Sequence, residues 1–281
     1  MKNQKIPSRL FPDARKDADF AKLDNDTEQT RSPSYKLAFQ DTDFLLREDL
    51  RPVRFQLELL KPELLMDEAK IGSTFVIYGS ARIPEPGVPA KSGDPAVNAR
   101  LEALSHYYDQ SRKLAQIVSQ VEPEPDGTRH FVVCSGGGPS IMEAANRGAR
   151  DVGQTSIGLN IVLPHEQAPN HYVSPELSFQ FHYFALRKMH FLLRARAVAV
   201  FPGGFGTFDE MFELLTLIQT GKIKPLPIVL FGRAFWERAI NFKAIAEEGV
   251  ISEKDLALFT FVETAEEAWA VVQSWYDGDP K

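Results

Sequence analysis

Apolar and polar positions alternate along most of this chain in blocks that change period, from short unbroken apolar runs to stretches with helical spacing. The first such run is Thr74-Phe75-Val76-Ile77-Tyr78, closed by Gly79-Ser80. An unbroken run of that length suits a parallel strand buried on both faces. A Pro- and Gly-rich loop from Pro84 to Asp94 follows, and Leu101, Leu104, Tyr108, Ser111, Leu114, Ala115 and Val118 then recur at helical period. The same succession continues downstream. Strands are predicted over Phe131–Cys134, Ser156–Leu163, Ala197–Phe201, Pro227–Phe231 and Leu258–Val262. Helices are predicted from Ser140 to Arg150, from Tyr183 to Arg194, from the Pro202 loop to about Thr220, near Phe235 to Glu248, and from Ala265 to Tyr276. Strands alternating with helices of this length predict an α/β fold, a doubly wound, Rossmann-like parallel sheet in a single domain over residues 71–281.

Upstream of that domain the pattern weakens. Residues 1–35 are polar, rich in Lys, Asp and Asn, and carry few apolar anchors, so a mobile polar tail is expected. From Asp43 to Ala69 the apolar positions Phe44, Leu45, Leu50, Phe55, Leu59 and Leu60 recur irregularly, and Pro52 and Pro62 read as breaks. Residues 36–70 are therefore expected to form short helices as an N-terminal extension. No internal repeat shows beyond the strand–helix alternation.

Composition narrows the classes. At 281 residues the chain can bury one large core, with 43% hydrophobic and 25% charged residues, as globular proteins do. A net charge of −6 argues against a nucleic-acid binder, whose footprint is basic. An anionic ligand must then be met by a local cluster of donors. The lone Cys134 has no partner for an internal disulfide and sits in an apolar run, so a buried strand thiol is expected. No signal-like stretch opens the sequence and no segment approaches the roughly 18 apolar residues of a membrane span. A cytoplasmic protein is expected, with no membrane partner. The six histidines form no zinc-type ligand set, so neither a metal nor another cofactor is expected.

Two glycine loops carry the candidate chemistry: Ser135-Gly136-Gly137-Gly138-Pro139 and Pro202-Gly203-Gly204-Phe205-Gly206-Thr207. Each joins a strand's carboxyl end to a helix, where backbone N–H groups and the helix dipole favour an anion. Two such loops on one sheet point to a phosphorylated ligand. A Walker A loop is absent, and Gly136-Gly137-Gly138-Pro139-Ser140-Ile141 breaks the dinucleotide spacing, with no carboxylate closing the next strand. Thr207 stands at the helix entrance with hydroxyl and N–H available. Glu210 follows three residues later, read as lying in the first turn; its spacing also suits a dipole-pairing or capping carboxylate. Beside a phosphate a carboxylate is mildly repulsive, and cleavage of a ribosyl C–N bond would justify it, since positive charge then builds on the sugar. Ser140-x-x-Glu143 equally spells a capping box, and Arg187-Lys188 a solvated helical face whose start alone could reach a ligand.

These residues resemble the lonely-guy (LOG) family, many of whose members carry the label "lysine decarboxylase-like". Pro202-Gly203-Gly204-Phe205-Gly206-Thr207-Phe208-Asp209-Glu210 matches the family's Pro-Gly-Gly-x-Gly-Thr-x-x-Glu signature. The likeness extends through Tyr78–Arg82, Ser135–Asn146, Leu163–Gln167 and Arg187-Lys188, over about Ile71 to Gln273, and the longer N-terminus is similar to the bacterial subgroup. Phe205 stands where the family often has Tyr. The resemblance implies a phosphoribohydrolase that frees a purine base from AMP or N6-substituted AMP, such as a cytokinin riboside monophosphate. It implies Arg187 and Glu210 as the catalytic pair. Gly79, Ser80, Gly137, Gly138, Glu143, Lys188, Gly203, Gly204, Phe205, Gly206, Thr207, Asp209 and Thr216 would then bind substrate. A non-catalytic nucleotide or molybdenum-cofactor carrier on the same fold is the alternative, and a pyridoxal-dependent decarboxylase has no lysine at a strand-end loop to support it. The helix Met211–Ile218 reads as too apolar for a monomer surface, so a homodimer or higher homo-oligomer is expected.

Overall fold

The structure, a computed structural model, describes residues 13–21, 26–164 and 168–277. Much of the expected tail, residues 1–12 and 22–25, lies outside them. The chain divides into two compact units, Met1–Leu57 and Glu58–Lys281. In the first, α1 (Ala14–Phe20), α2 (Glu28–Arg31) and α3 (Thr42–Leu45) are short and capped by their own side chains, Asp13, Thr27 and Asp41 accepting from first-turn N–H groups.

α4 (Arg51–Glu68) is the longest helix, and it corrects the reading of Pro52 and Pro62 as breaks. Pro52 falls in the first turn, where its N–H would have no partner in any case. Pro62 lies inside the helix. Its missing N–H leaves the Glu58 carbonyl, four residues back, without a helical donor. His190 fills that vacancy, donating Nε2–H to the Glu58 oxygen at 3.1 Å. Burial lowers the pKa of His190, which keeps the ring neutral.

The second unit is a seven-stranded, wholly parallel sheet in the order β4-β3-β2-β1-β5-β6-β7. The strands are β1 (Thr74–Tyr78), β2 (Val132–Ser135), β3 (Ile157–Ile161), β4 (Ser178–Phe181), β5 (Ala195–Val200), β6 (Ile228–Phe231) and β7 (Thr260–Val262). Between them run α5 (Pro95–Ala103), α6 (His106–Val118), α7 (Ile141–Asp151), α8 (Phe184–Leu193), α9 (Phe205–Gln219), α10 (Arg233–Ala239) and α11 (Phe242–Glu247), with α12 (Ala265–Asp277) last. The doubly wound α/β architecture is the expected one.

Strand alternation sorts the core into two layers. Val76 and Tyr78 of β1 face α8 and α9 through Phe191, Met211 and Leu214. Phe75 and Ile77 face α6, α7 and α12 through Leu114, Ala144 and Ala268. Cys134 is buried on β2, as expected, and burial raises its thiol pKa far above the ordinary value. Among the described residues no helix is long and apolar enough to cross a membrane.

Three elements differ from expectation. β4 lacks a sequence signal: it is four residues long, follows Pro175, and buries only Phe179 and Phe181 at the sheet edge. The helix expected through Leu101–Val118 is two helices, broken at Leu104-Ser105, and the one near Phe235–Glu248 breaks at Ile240-Asn241, where Asn241 caps α11.

Candidate functional site

From central β1 the chain steps outward through β2 and β3 to β4, then crosses back to place β5 on the other side of β1. Connections that leave in opposite directions open a crevice at the strands' carboxyl ends. The loops after β1, β2 and β5 meet there: the Ser80 N–H donates to the Pro202 carbonyl, and the Ile141 N–H to the Ser80 carbonyl. They line a cleft of about 560 Å³, with Gly79, Ser80, Gly138, Arg187, Gly204, Gly206, Thr207 and Glu210 on its walls.

The loops are shaped by close approaches. A Cβ on Gly203 would stand 2.1 Å from Thr207 Oγ1, so only glycine lets the strand turn onto the start of α9. Gly137 has φ of +71° and lies against the Asn160 amide. Asn146 ties this loop into the core: its Oδ1 accepts from Ser135 Oγ at 2.7 Å and from Asn170 Nδ2 at 2.9 Å. Asn170 also donates to the Gly137 and Gly138 carbonyls.

α9 begins at Phe205, with Gly204 as its N-cap and no side chain capping it, so the first N–H groups face the cleft unblocked by a cap. This start corrects the position of Glu210, which falls in the second turn. A dipole-pairing or capping role is thereby removed. Glu210 is 14% exposed at the side chain, and Arg187 Nη1 stands 3.4 Å from its Oε1. Burial pushes the Glu210 carboxyl from 4.5 up to about 7, against the opposing pull of the Arg187 charge, with Asp209 adding a smaller upward push. Arg187 is in the first turn of α8, its Nε donates to the Leu159 carbonyl at 2.7 Å, and its guanidinium lies over the Phe191 ring. The start of that helix does reach the cleft.

Other candidate residues stand elsewhere. Lys188 is held by Asp209 at 2.9 Å and Glu213 at 3.2 Å, outside the cleft lining. Glu143 makes no capping box, because Ser140 has φ of +65° and its hydroxyl donates to the Ile83 carbonyl instead. Glu143 accepts from the Tyr108 hydroxyl at 3.0 Å and lines a neighbouring cleft that shares Ala81 and Arg82 with the first. Phe205 is 97% exposed. Thr216 sits roughly 13 Å along α9 from Thr207, donates to the Phe212 carbonyl, and borders a separate apolar groove. Of the loop after Pro164, His165, Glu166 and Gln167 lie outside the described residues.

The cleft also contains residues that sequence reasoning passed over, among them Met142, Asn160, Phe179, Gln180 and Phe184. Asn160 carried a signal, a lone amide near the end of an apolar strand. Gln180 and Phe179 carried none, since β4 itself was unforeseen. Among the described residues no cluster of side chains could hold a metal ion.

Residues 142–272, which include both Arg187 and the loop from Pro202 to Glu210, match the family model described as possible lysine decarboxylase. The matched segment runs from α7 to α12 and so includes the helices that line the cleft, α7, α8 and α9. A similar curated protein is the pyrimidine/purine nucleotide 5′-monophosphate nucleosidase of Escherichia coli (strain K12), 28% identical over 136 residues. The alignment covers 43% of this chain and 28% of that protein, so the chain spans little more than a quarter of its relative's length. Among solved structures, a structural-genomics target is 20% identical with a TM-score of 0.47, over 72% of this chain and 99% of that one. The Moco carrier protein from Chlamydomonas reinhardtii is 18% identical with a TM-score of 0.43, over 72% and 96%.

Proposed function

We propose that this protein hydrolyses the N-glycosidic bond of a nucleoside 5′-monophosphate, releasing the base and ribose 5-phosphate. The observation that carries the reading is Glu210, a buried carboxylate with its pKa near 7, 3.4 Å from Arg187 on the wall of a glycine-lined cleft. The family segment and the nucleosidase activity named for the E. coli relative support it.

In the proposed reaction the 5′-phosphate rests on the free N–H groups at the start of α9 and on the Thr207 hydroxyl. As the C1′–N bond breaks, its electron pair leaves with the base and positive charge develops on the sugar. Ionised Glu210 stabilises that charge and orients the attacking water. Water supplies hydroxyl to C1′, and the remaining proton goes to the departing base. Arg187 keeps Glu210 ionisable despite its burial. A purine base, as in AMP or an N6-substituted AMP, is the substrate we assign, in a cytoplasmic homo-oligomer; a panel of AMP, GMP, CMP and N6-isopentenyl-AMP scored for free base checks the assignment.

Glu210→Ala is the direct test. Base release should fall by about 10²–10⁴-fold, while ribose 5-phosphate binding by calorimetry stays measurable. Full turnover in this variant overturns the mechanism, and no free base from any of the four nucleotides with the parent protein favours a non-catalytic carrier.

A further inference from the structure

α8 carries Arg187 yet has no cap of its own. Its N-cap residue, Tyr183, makes no side-chain capping bond, and no acidic residue lies in its first turn. In a capping box the third helical residue is a Glu or Gln that reaches back to the N-cap N–H; here that position is Leu186. The missing carboxylate comes from another helix. Glu58 of α4 accepts from the His182 N–H through Oε1 at 2.8 Å and from the Tyr183 N–H through Oε2 at 3.2 Å.

The same residue grips α8 a second time. Its backbone carbonyl, left without a helical donor by Pro62, takes the Nε2–H of His190. The path to the site is short. Tyr183 is held at its backbone N–H by Glu58, and its carbonyl accepts the Arg187 N–H at 3.1 Å. Arg187 then reaches Leu159 and Glu210. We propose that Glu58 is a positioning residue: its carboxylate fixes the start of α8 and, through the Tyr183 backbone, sets Arg187 against Glu210. This rests on the reading of Arg187 and Glu210 as the catalytic pair.

Glu63 provides the contrast. It binds Arg194, the C-cap of α8, with Nε to Oε1 at 3.2 Å, so it ties the same two helices together two turns beyond Arg187. Loss of Glu63 should loosen the packing without moving the start of the helix.

The test compares Glu58→Ala, Glu58→Gln and Glu63→Ala in the full chain, by turnover of AMP, thermal melting, and the Arg187 Nε–H resonance in ¹⁵N NMR, assigned by its loss in Arg187→Lys. Glu58→Ala should lower kcat by about ten- to a hundredfold with KM changed less than about threefold, and should shift the Arg187 resonance. Glu58→Gln keeps one acceptor oxygen, should fall between, and serves if the alanine variant does not fold. Glu63→Ala should lower Tm with kcat within twofold of the parent. The proposal is overturned if Glu58→Ala keeps both kcat and the resonance, or if Glu63→Ala loses as much kcat for the same loss of Tm. If the parent releases no base from AMP, the functional reading is what fails, and the resonance alone decides the positioning: unmoved in both Glu58 variants, it overturns it.

Discussion

Glu210 sits where burial and the proposed chemistry pull on one carboxyl group. A Glu with a pKa raised from 4.5 to about 7 is one whose neutral form the fold prefers. Its contribution to stability is therefore complete below about pH 4.5 and is lost as pH rises through about 7. The charges that face it are Arg187, which favours ionisation, with Lys188 behind it, and Asp209 and Glu213, which oppose it. Glu210→Gln should match the parent in urea unfolding at pH 4 and exceed it above pH 8 by up to roughly 3 kcal/mol. An equal gap at both pH values would show that the carboxyl is not held neutral by burial. In the proposed reaction the ionised form stabilises the sugar, so kcat/KM should rise with pH to a plateau, with an apparent pKa near 7 in the pH–rate profile.

Helix against helix, the most extensive contact is between α6 and α7. Gly148 of α7 lies on the backbone of α6: a Cβ there would be 2.1 Å from the Arg112 carbonyl oxygen. Alanine improves helix propensity by about 1 kcal/mol, yet the clash is with backbone and forces the helices apart. Gly148→Ala should destabilise the fold by about 1–3 kcal/mol, read as a lower midpoint in thermal or urea melts; an unchanged or raised midpoint refutes the close packing. Elements with long, regular patterns, such as β1, β5 and α9, were legible in the sequence because burial on both faces of a strand or one face of a helix leaves a period. β4 was not, because an edge strand of four residues buries only two side chains. α4 hid behind Pro62, because the donor that compensates its lost hydrogen bond sits more than a hundred residues away, on His190.

Across the whole molecule, the outer side of α9 offers Phe212, 38% exposed, beside a groove bordered by Leu215, Phe242 and Phe259. Light scattering at micromolar concentration should give a homodimer or larger assembly; a monomer removes that expectation. The α/β class and both glycine loops followed from sequence alone, since chain reversals at strand ends need glycine wherever backbone must approach backbone. The Pro202–Glu210 signature pointed to a phosphate next to a carboxylate on the same local grounds. Glu143, Lys188 and Thr216 illustrate the limit: their sequence neighbourhood is that of the site, yet their partners are Tyr108, the Asp209–Glu213 pair and the α9 backbone. Only the tertiary structure brought Arg187 to Glu210 and raised the pKa of that carboxylate, because desolvation and a 3.4 Å separation depend on how α8 and α9 pack, not on their order in the chain.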